Sequence, residues 1–266
     1  MNRKVLIIGL DGCRPDSIQA ANTPNIDQII TNGAVSWKAQ TEIRTISGAA
    51  WTSLLTGVHM DKHGVYGNDF KPRNLEYRTL YHEIKKWNPN FRVIAYSNWK
   101  PIITKIFEKG ILSKKKSGSD RKMTKRLVKS ITKDQGDLYF LQLDEIDGAG
   151  HKWGYGPDCH KYVETIEKRD LMLGQIIQAI KQRPDEEKWL IILVSDHGGL
   201  GHGHGKPTNE ELTIIFAVSG TMVENNQILD EDEDEFISIV DAVPTIAKFL
   251  GMPQKEYWDG KIRGLE

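Results

Sequence analysis

The chain has 266 residues, enough for one large α/β domain that buries a core without the help of disulfides. Lysine plus arginine and aspartate plus glutamate both total 36, so the formal charge is zero and no global field attracts nucleic acid or an anionic membrane. The two cysteines, Cys13 and Cys159, form no C-x-x-C pair. These features exclude a small disulfide-stapled module and give no sign of a cysteine-based zinc or redox site.

The first residues of the chain pass directly into a short apolar stretch at residues 5–8. This stretch is too short for the apolar core of a secretion signal, and no small-residue cleavage site follows it. The sequence also has no run of about 18 apolar residues, the length that a membrane-spanning helix needs. We therefore expect a reduced, cytoplasmic setting and no membrane partner.

Five apolar runs of strand length alternate with helical patterns along the chain. Thr23 and Pro24 mark the start of a helix that Gly33 should stop, and the helical spacing of residues 238–250 ends at Gly251. This rhythm predicts an α/β fold with a mostly parallel central sheet and helices on both faces, a three-layer sandwich. The predicted strands cover residues 5–10, 91–96, 138–143, 190–194 and 213–218.

Two charged segments lie outside this pattern. Residues 113–133 are rich in lysine and serine, which predicts a flexible basic loop leading into a helix, with a basic arm for a polyanionic substrate as the alternative. The acidic run 230–235 predicts a solvated surface loop, because it lacks the glycine and the ligand spacing of a calcium-binding loop. No linker clearly divides the chain. We predict a single domain over residues 1–266, with room for a small cap or insertion around residues 98–136.

Candidate metal ligands follow three of the apolar runs, where the carboxyl ends of parallel strands meet at the edge of the sheet that binds ligands. Aspartate and histidine are ligand types for zinc and manganese. Histidines among glycines make poor core material, although a loop without function could have the same composition. Six ligands suffice for two metals with three protein ligands each. The candidates are Asp11, Asp147, His151, Asp196, His197 and either His202 or His204.

A serine is the candidate nucleophile. Ser47 lies among small residues that lead into a helical segment ending at Gly57. At a helix N-terminus the backbone N–H groups and the dipole favour an alkoxide, and metal coordination lowers the pKa of a hydroxyl further. The structural alternative is that Ser47 only caps the helix. Two metals roughly 4 Å apart can clamp both oxygens of a displacement at phosphorus, so the pattern predicts a hydrolase of phosphate esters.

Taken in order, these motifs resemble the alkaline phosphatase superfamily, and within it the type I phosphodiesterase and nucleotide pyrophosphatase branch. The resemblance extends over nearly the whole chain. It implies a metal-dependent phosphoric ester hydrolase with two divalent ions, zinc by preference or manganese, acting on a small phosphate ester or nucleotide and not on a nucleic acid. The matching segments are 8–12, 23–25, 47–57, 63–65, 147–151, 195–198, 203–205 and 240–245.

The resemblance also assigns residues to each metal. The first metal would also be coordinated by the Ser47 nucleophile. The last ligand of the second metal would be His204, because its Gly-His-Gly context has the spacing of short family members, although His202 is only two residues away. The first metal set is Asp11, Asp196 and His197, and the second is Asp147, His151 and His204.

The sequence departs from the family pattern beside the nucleophile. Pyrophosphatase-type members usually have threonine there and an asparagine three positions later that helps to bind phosphate, whereas this chain has Ser47 and Ala50. Asn68 is a candidate for an alternative polar contact, and a turn role fits it equally well. His63 resembles a structural position near the site.

Several rival functions remain open on the same core. A phosphomonoesterase, a phosphonate hydrolase or a phosphomutase would need only a different pocket, and a metal-binding protein without catalysis is the rival from another class. The sulfatase branch fits poorly, because its C/S-x-P-x-R motif does not match the residues that follow Ser47.

Overall fold

The computed structural model describes residues 2–71, 73–230 and 236–265. Residues 231–235 of the predicted acidic loop therefore lie outside the described residues. Asp230, at the start of that run, accepts a hydrogen bond from the Trp37 N–H at 2.8 Å. Within the described part of the chain, none of the helices combines the length and the apolar character that crossing a membrane would require.

Helices and strands alternate along most of the chain, as the apolar runs predict. A π-helical turn at Ile102–Ile106 and a 3₁₀ turn at Ile239–Asp241 lie between the regular elements. In chain order, the described elements are β1 (Arg3–Leu10), α1 (Pro15–Ala20), α2 (Pro24–Thr31), β2 (Gly33–Gln40), α3 (Ser47–Thr56), α4 (Met60–His63), α5 (Leu80–Trp87), β3 (Val93–Ser97), β4 (Lys114–Ser117), α6 (Asp120–Thr132), β5 (Leu138–Leu143), α7 (Glu145–Trp153), α8 (His160–Lys181), β6 (Lys188–Ser195), α9 (Asn209–Leu212), β7 (Thr213–Gly220), β8 (Gln227–Ile228) and α10 (Ala242–Leu250).

The strands form one sheet in the order β4-β3-β5-β1-β6-β7-β2-β8. β7 is antiparallel to both of its neighbours, and the other adjacent strands pair in parallel. Successive side chains of a strand point to opposite faces, so Val5 and Ile7 join one buried cluster while Leu6 and Ile8 join the other. Helices cover both clusters. The predicted three-layer α/β architecture is confirmed.

The structure differs from the expectation at the edges of the sheet. Gly33 begins β2 instead of stopping α2, whose C-cap is Asn32. A Cβ at Gly33 would lie 2.1 Å from the Val218 carbonyl oxygen, so the close pairing with β7 requires glycine here. The flexible loop predicted at the start of residues 113–133 is wrong, since Lys114–Ser117 pair in parallel with β3. Lysines on an edge strand discourage pairing with another chain, which explains a composition that looks like a loop. The helix predicted after it is α6.

The segment 98–136, considered as a cap or insertion, extends the main sheet. It contributes β4 at the edge and α6 on one face. Met123, Leu127 and Ile131 of α6 are buried in the same cluster as Ile8 of β1.

Three neighbouring strands, β5, β1 and β6, determine where the polar residues meet. Leu10 at the end of β1 lies opposite Leu143 of β5 and Ser195 of β6. The residues that follow these strands therefore begin at the same level of the same edge. This register brings together Asp11 and Asp196, which are far apart in sequence.

Candidate metal centre

Asp11, Asp196 and His197 form a first group of potential ligands. One ligand atom from each lies within 4.8 Å of the others, and all three residues are almost fully buried. His197 Nε2 is 3.6 Å from Asp11 Oδ1 and 3.3 Å from Asp196 Oδ2. The structure thus brings together the three residues that the sequence assigns to the first metal.

Asp147 is the centre of a second group. His204 Nε2 lies 3.7 Å from Asp147 Oδ1, and His151 Nε2 lies 3.3 Å from Asp147 Oδ2. The ring of His204 stacks on that of His197 with the centroids 3.8 Å apart, so His197 also falls within ligand distance of Asp147 and His204. The three residues assigned to the second metal are therefore adjacent to the first group.

His202, the alternative to His204, lies on the outside of the site. It is exposed, and its Nδ1 is 3.3 Å from the carbonyl oxygen of His151. This contact ties the glycine-rich loop to α7. The geometry favours His204 as the residue that faces Asp147.

Backbone carbonyl groups orient His151, His197 and His204 in the same way. A carbonyl oxygen only accepts, so each Nδ1 carries the hydrogen and each Nε2 offers its lone pair, which is the arrangement of histidines that bind metals. Burial lowers the pKa of both His197 and His204, so these imidazoles are neutral. The donor–acceptor pairs are His197 with Gly198, His204 with Thr45, and His151 with His202.

Several buried carboxyl groups lie close together in the site. Burial raises the pKa of Asp11 well above its ordinary value, and neighbouring carboxylates add to the effect. Burial likewise raises the pKa of Asp196 to about 7 and that of Asp144 to about 6. Asp11 Oδ1 and Asp196 Oδ2 are buried without a hydrogen-bond partner among the described residues. Unpaired carboxylate oxygens beside neutral imidazoles are a donor set that fits divalent cations.

Ser47 faces this donor set. It is the first residue of α3, and its Oγ lies 3.2 Å from His197 Nε2. The cap residue of α3 is Ile46, so the alternative that Ser47 only caps the helix is wrong. The helix ends as predicted at Gly57, which has a φ of 73°.

Asn68 lies at the same end of α3. Its Oδ1 accepts a hydrogen bond from the Gly48 N–H at 2.8 Å, which leaves the amide Nδ2 as the donor that this side chain can offer. A Cβ at Gly48 would be 2.5 Å from the Gly67 carbonyl oxygen, so glycine next to Ser47 permits this close approach. Asn68 therefore lies beside the nucleophile, and its contact with phosphate stays a prediction.

Sequence reasoning missed the side chains that hold the carboxylates. Trp51 and Gln142 donate to Asp11, and the Tyr155 hydroxyl donates to Asp147 Oδ1. Gln142 has a signal that could have identified it, because it is a polar residue inside the apolar run 138–143. A tryptophan or a tyrosine in a buried element has no such signal, since its sequence context is that of a core residue.

The family model of type I phosphodiesterase / nucleotide pyrophosphatase matches residues 5–115 and 96–204. The chain belongs to this family. The matched residues include every predicted ligand position from Asp11 to His204.

Relatives and solved structures agree with this membership. The chain is 25% identical over 221 residues to ectonucleotide pyrophosphatase/phosphodiesterase family member 7 of Rattus norvegicus, covering 73% of this chain and 49% of that protein. It thus spans about half the length of the curated relatives it matches.

Solved structures show the same fold. Murine ectonucleotide pyrophosphatase/phosphodiesterase 5 has a TM-score of 0.78 at 16% identity, covering 99% of this chain and 100% of that chain, and an inactive variant of it is known in complex with AMP. A 2-O GAG sulfatase has a TM-score of 0.80 at 12% identity, covering 99% and 73%. At these identities the likenesses concern the fold alone, which is that of the alkaline phosphatase superfamily.

Proposed function

We propose that this protein hydrolyses phosphoric diesters with Ser47 as the nucleophile. The observation that supports this most directly is the 3.2 Å distance between Ser47 Oγ and His197 Nε2, because His197 is a member of the first group and also lies within ligand distance of Asp147 and His204 in the second. A hydroxyl at that point lies beside both groups at once. Membership of a family of phosphodiesterases and pyrophosphatases supports the same reaction class.

Two divalent cations fit the two groups. Asp11, Asp196 and His197 would hold one, and Asp147, His151 and His204 would hold the other. When bound, such cations lower the pKa of a nearby hydroxyl and stabilise charge on the attacking and leaving oxygens. Without them the carboxylates of the site, wherever they are ionised, would repel a phosphate ester, which is also negatively charged. Mixed carboxylate and imidazole ligands suit zinc, our first choice, or manganese.

The chain's own residues position the reacting atoms. Ser47 Oγ, after losing its proton, forms a bond to phosphorus while the bond from phosphorus to the leaving oxygen breaks. The positive end of the α3 dipole and the Nδ2 amide of Asn68 would stabilise phosphate oxygens beside Ser47. Water then cleaves the bond between Ser47 Oγ and phosphorus and restores the free hydroxyl.

The substrate we propose is a small nucleotide or another small phosphodiester. The AMP complex of the murine relative supports a nucleotide, and the family description names nucleotide pyrophosphatases. Ala50 stands where the family usually has asparagine, so Asn68 would take over the contact to phosphate in this chain.

Replacing the nucleophile tests the proposal. We expect Ser47→Ala to lower the turnover of a chromogenic phosphodiester by at least about a thousandfold, because the variant has no atom that can attack phosphorus. Its metal content should remain that of the unaltered protein. Elemental analysis of both proteins gives the metal content, and initial rates give the turnover.

Ser53→Ala is the matched control. Ser53 is also buried in α3 and also contacts a histidine ring nitrogen, with its Oγ 2.8 Å from His63 Nε2. That pair lies outside both ligand groups, so turnover per folded molecule should survive. Full activity of Ser47→Ala would remove the serine from the mechanism.

A panel of esters separates the rival functions. Faster turnover of monoesters than of diesters would favour a phosphomonoesterase, and turnover of a phosphonate would favour a phosphonate hydrolase. A protein that binds zinc or manganese but hydrolyses no ester of the panel would be a metal-binding protein without catalysis.

A further inference from the structure

Two N–H donors from different elements occupy the same oxygen of Asp11. Trp51 of α3 donates through Nε1 to Asp11 Oδ2 at 2.9 Å, and Gln142 of β5 donates through Nε2 to that oxygen at 2.8 Å. The other oxygen, Oδ1, is buried without a partner in the described part of the chain and lies 3.6 Å from His197 Nε2. The two donors therefore determine which oxygen of the carboxylate stays available.

Gln142 uses both ends of its amide. Its Nε2 also donates to Asp144 Oδ1 at 2.8 Å, while its Oε1 accepts from the Ser97 hydroxyl at 2.8 Å and from the Trp99 N–H at 2.9 Å. The residue is fully buried. A buried amide with all of these partners has one orientation. It places N–H groups between Asp11 and Asp144, two carboxylates that would otherwise repel each other.

Gly9 makes room for the indole of Trp51. A Cβ at Gly9 would lie 2.3 Å from the Trp51 Cη2 atom, so the ring packs directly on the backbone of β1, two residues before Asp11. The ring also packs edge to face on Phe140 of β5, with centroids 6.0 Å apart. The indole is thus held on two sides, and its N–H has a defined direction.

We propose that Trp51 and Gln142 are positioning residues for the metal that Asp11 binds. They hold Oδ2 of Asp11 so that Oδ1 is presented to the space shared with Asp196 and His197. The inference rests on the proposed function, because it assigns a role toward a cation of that site. Removing either donor should weaken binding of that cation between about tenfold and a hundredfold, the usual effect of losing a partner of a metal ligand.

Gln142→Glu separates the acceptor role of the side-chain amide from its donor role. The variant keeps an oxygen that accepts from Ser97 and Trp99, and it replaces the N–H donors by an oxygen that faces Asp11. Ser97→Ala is the control, because it removes a hydrogen bond to Oε1 and leaves both donors in place.

Trp51→Phe is the second, independent variant. It keeps an aromatic ring on β1 and removes the N–H donor. Trp189→Phe is its control: the Trp189 indole is also buried and also donates to a carboxylate, Glu187 Oε2, at 3.0 Å, but it lies near the opposite end of β6.

The experiment titrates each metal-free protein with Zn²⁺ and, separately, with Mn²⁺ by calorimetry, and records thermal unfolding of the same samples. We expect two binding events in the unaltered protein. One should be weakened tenfold to a hundredfold in Gln142→Glu and Trp51→Phe, and neither should be weakened in Ser97→Ala or Trp189→Phe. A purely structural role would lower the unfolding temperature without this selective loss.

The outcomes separate the inference from the proposed function. Unchanged affinities in both variants would overturn the inference and leave the hydrolase proposal standing. Equal weakening in the controls would also overturn it, because the effect would then follow from stability. An unaltered protein that binds neither ion would overturn both.

Discussion

At the scale of single residues, His63 is a histidine that the fold keeps neutral. Its Nδ1 accepts from the Val65 N–H at 3.0 Å, so Nε2 carries the hydrogen that Ser53 Oγ accepts. Burial lowers its pKa from 6.5 to about 4. The unfolded chain therefore takes up a proton below pH 6.5 that the folded chain does not, and stability is lost as the pH falls from 6.5 toward 4. Between pH 7 and pH 5 this loss is about 2 kcal/mol.

Urea unfolding at pH 7 and pH 5 measures this loss. His63→Gln should be less stable than the unaltered protein at pH 7 but should lose less stability on acidification. Equal losses in the two proteins would show that His63 is not the source.

At the scale of elements, a carboxylate from α6 fixes the start of α7, the helix that carries Asp147. Asp120 Oδ1 accepts from the Asp144 N–H at 3.0 Å, and Oδ2 accepts from the Glu145 N–H at 3.1 Å and from Arg169 Nε at 3.0 Å. Asp120→Ala leaves a buried guanidinium without this partner. We expect a loss of about 3–5 kcal/mol and weaker binding of the metal assigned to Asp147.

Asp170→Ala is the control that tests whether the effect on metal binding is specific to α7. Asp170 is also a buried carboxylate, and it accepts from the Asn25 and Ile26 N–H groups at the start of α2, which carries none of the proposed ligands. This variant should lose stability and keep both metal affinities. Thermal unfolding and calorimetric titration give the two readouts, and equal affinities in the two variants would contradict the role of α7.

At the scale of the whole molecule, cations should stabilise the fold in a way that depends on pH. The raised pKa of Asp11 and of Asp196, the latter to about 7, means that these carboxyls hold protons in the metal-free fold below neutral pH. Their contribution to metal-free stability is lost as the pH rises from 3.8 toward 7. Binding a cation displaces the same protons, so it is favoured as the pH rises.

We therefore expect Mn²⁺ to raise the unfolding temperature more at pH 8 than at pH 6. At about 100 times the dissociation constant the gain is about 2.7 kcal/mol, on the order of 5–10 °C for a chain of this size. A chelator should reverse it. Scanning calorimetry at both pH values, with ion and with chelator, measures the unfolding temperature. A larger gain in unfolding temperature at pH 6 than at pH 8 would contradict the assignment of these carboxylates.

Much of the fold could be predicted because its central strands are apolar on both faces. β1, β5 and β6 are mainly apolar because parallel strands covered by helices on both faces disfavour polar side chains, and β7, although antiparallel to its neighbours, is buried on both faces in the same way. β4 could not be predicted from composition, because three lysines become a strand only through backbone pairing with β3. β8 has two residues, too few for any pattern.

The cytoplasmic setting and the chemical roles of the ligands stay predictions. The position of the ligands at one edge of the sheet, in contrast, followed from the direction of the strands. Asp11, Asp147 and Asp196 come after strands that run in the same direction, so the order of residues alone implied that they share an edge.

The amino-acid sequence by itself determined the central strands, the edge at which they end and the residue types that meet there, because apolar runs and the residues that follow them can be read along the chain. The tertiary structure alone decided that His204 and not His202 faces Asp147, that His197 lies between the two groups, and that Trp51 and Gln142 hold Asp11. Those outcomes depend on distances of a few ångströms between segments far apart in sequence, and only the packing of side chains sets such distances.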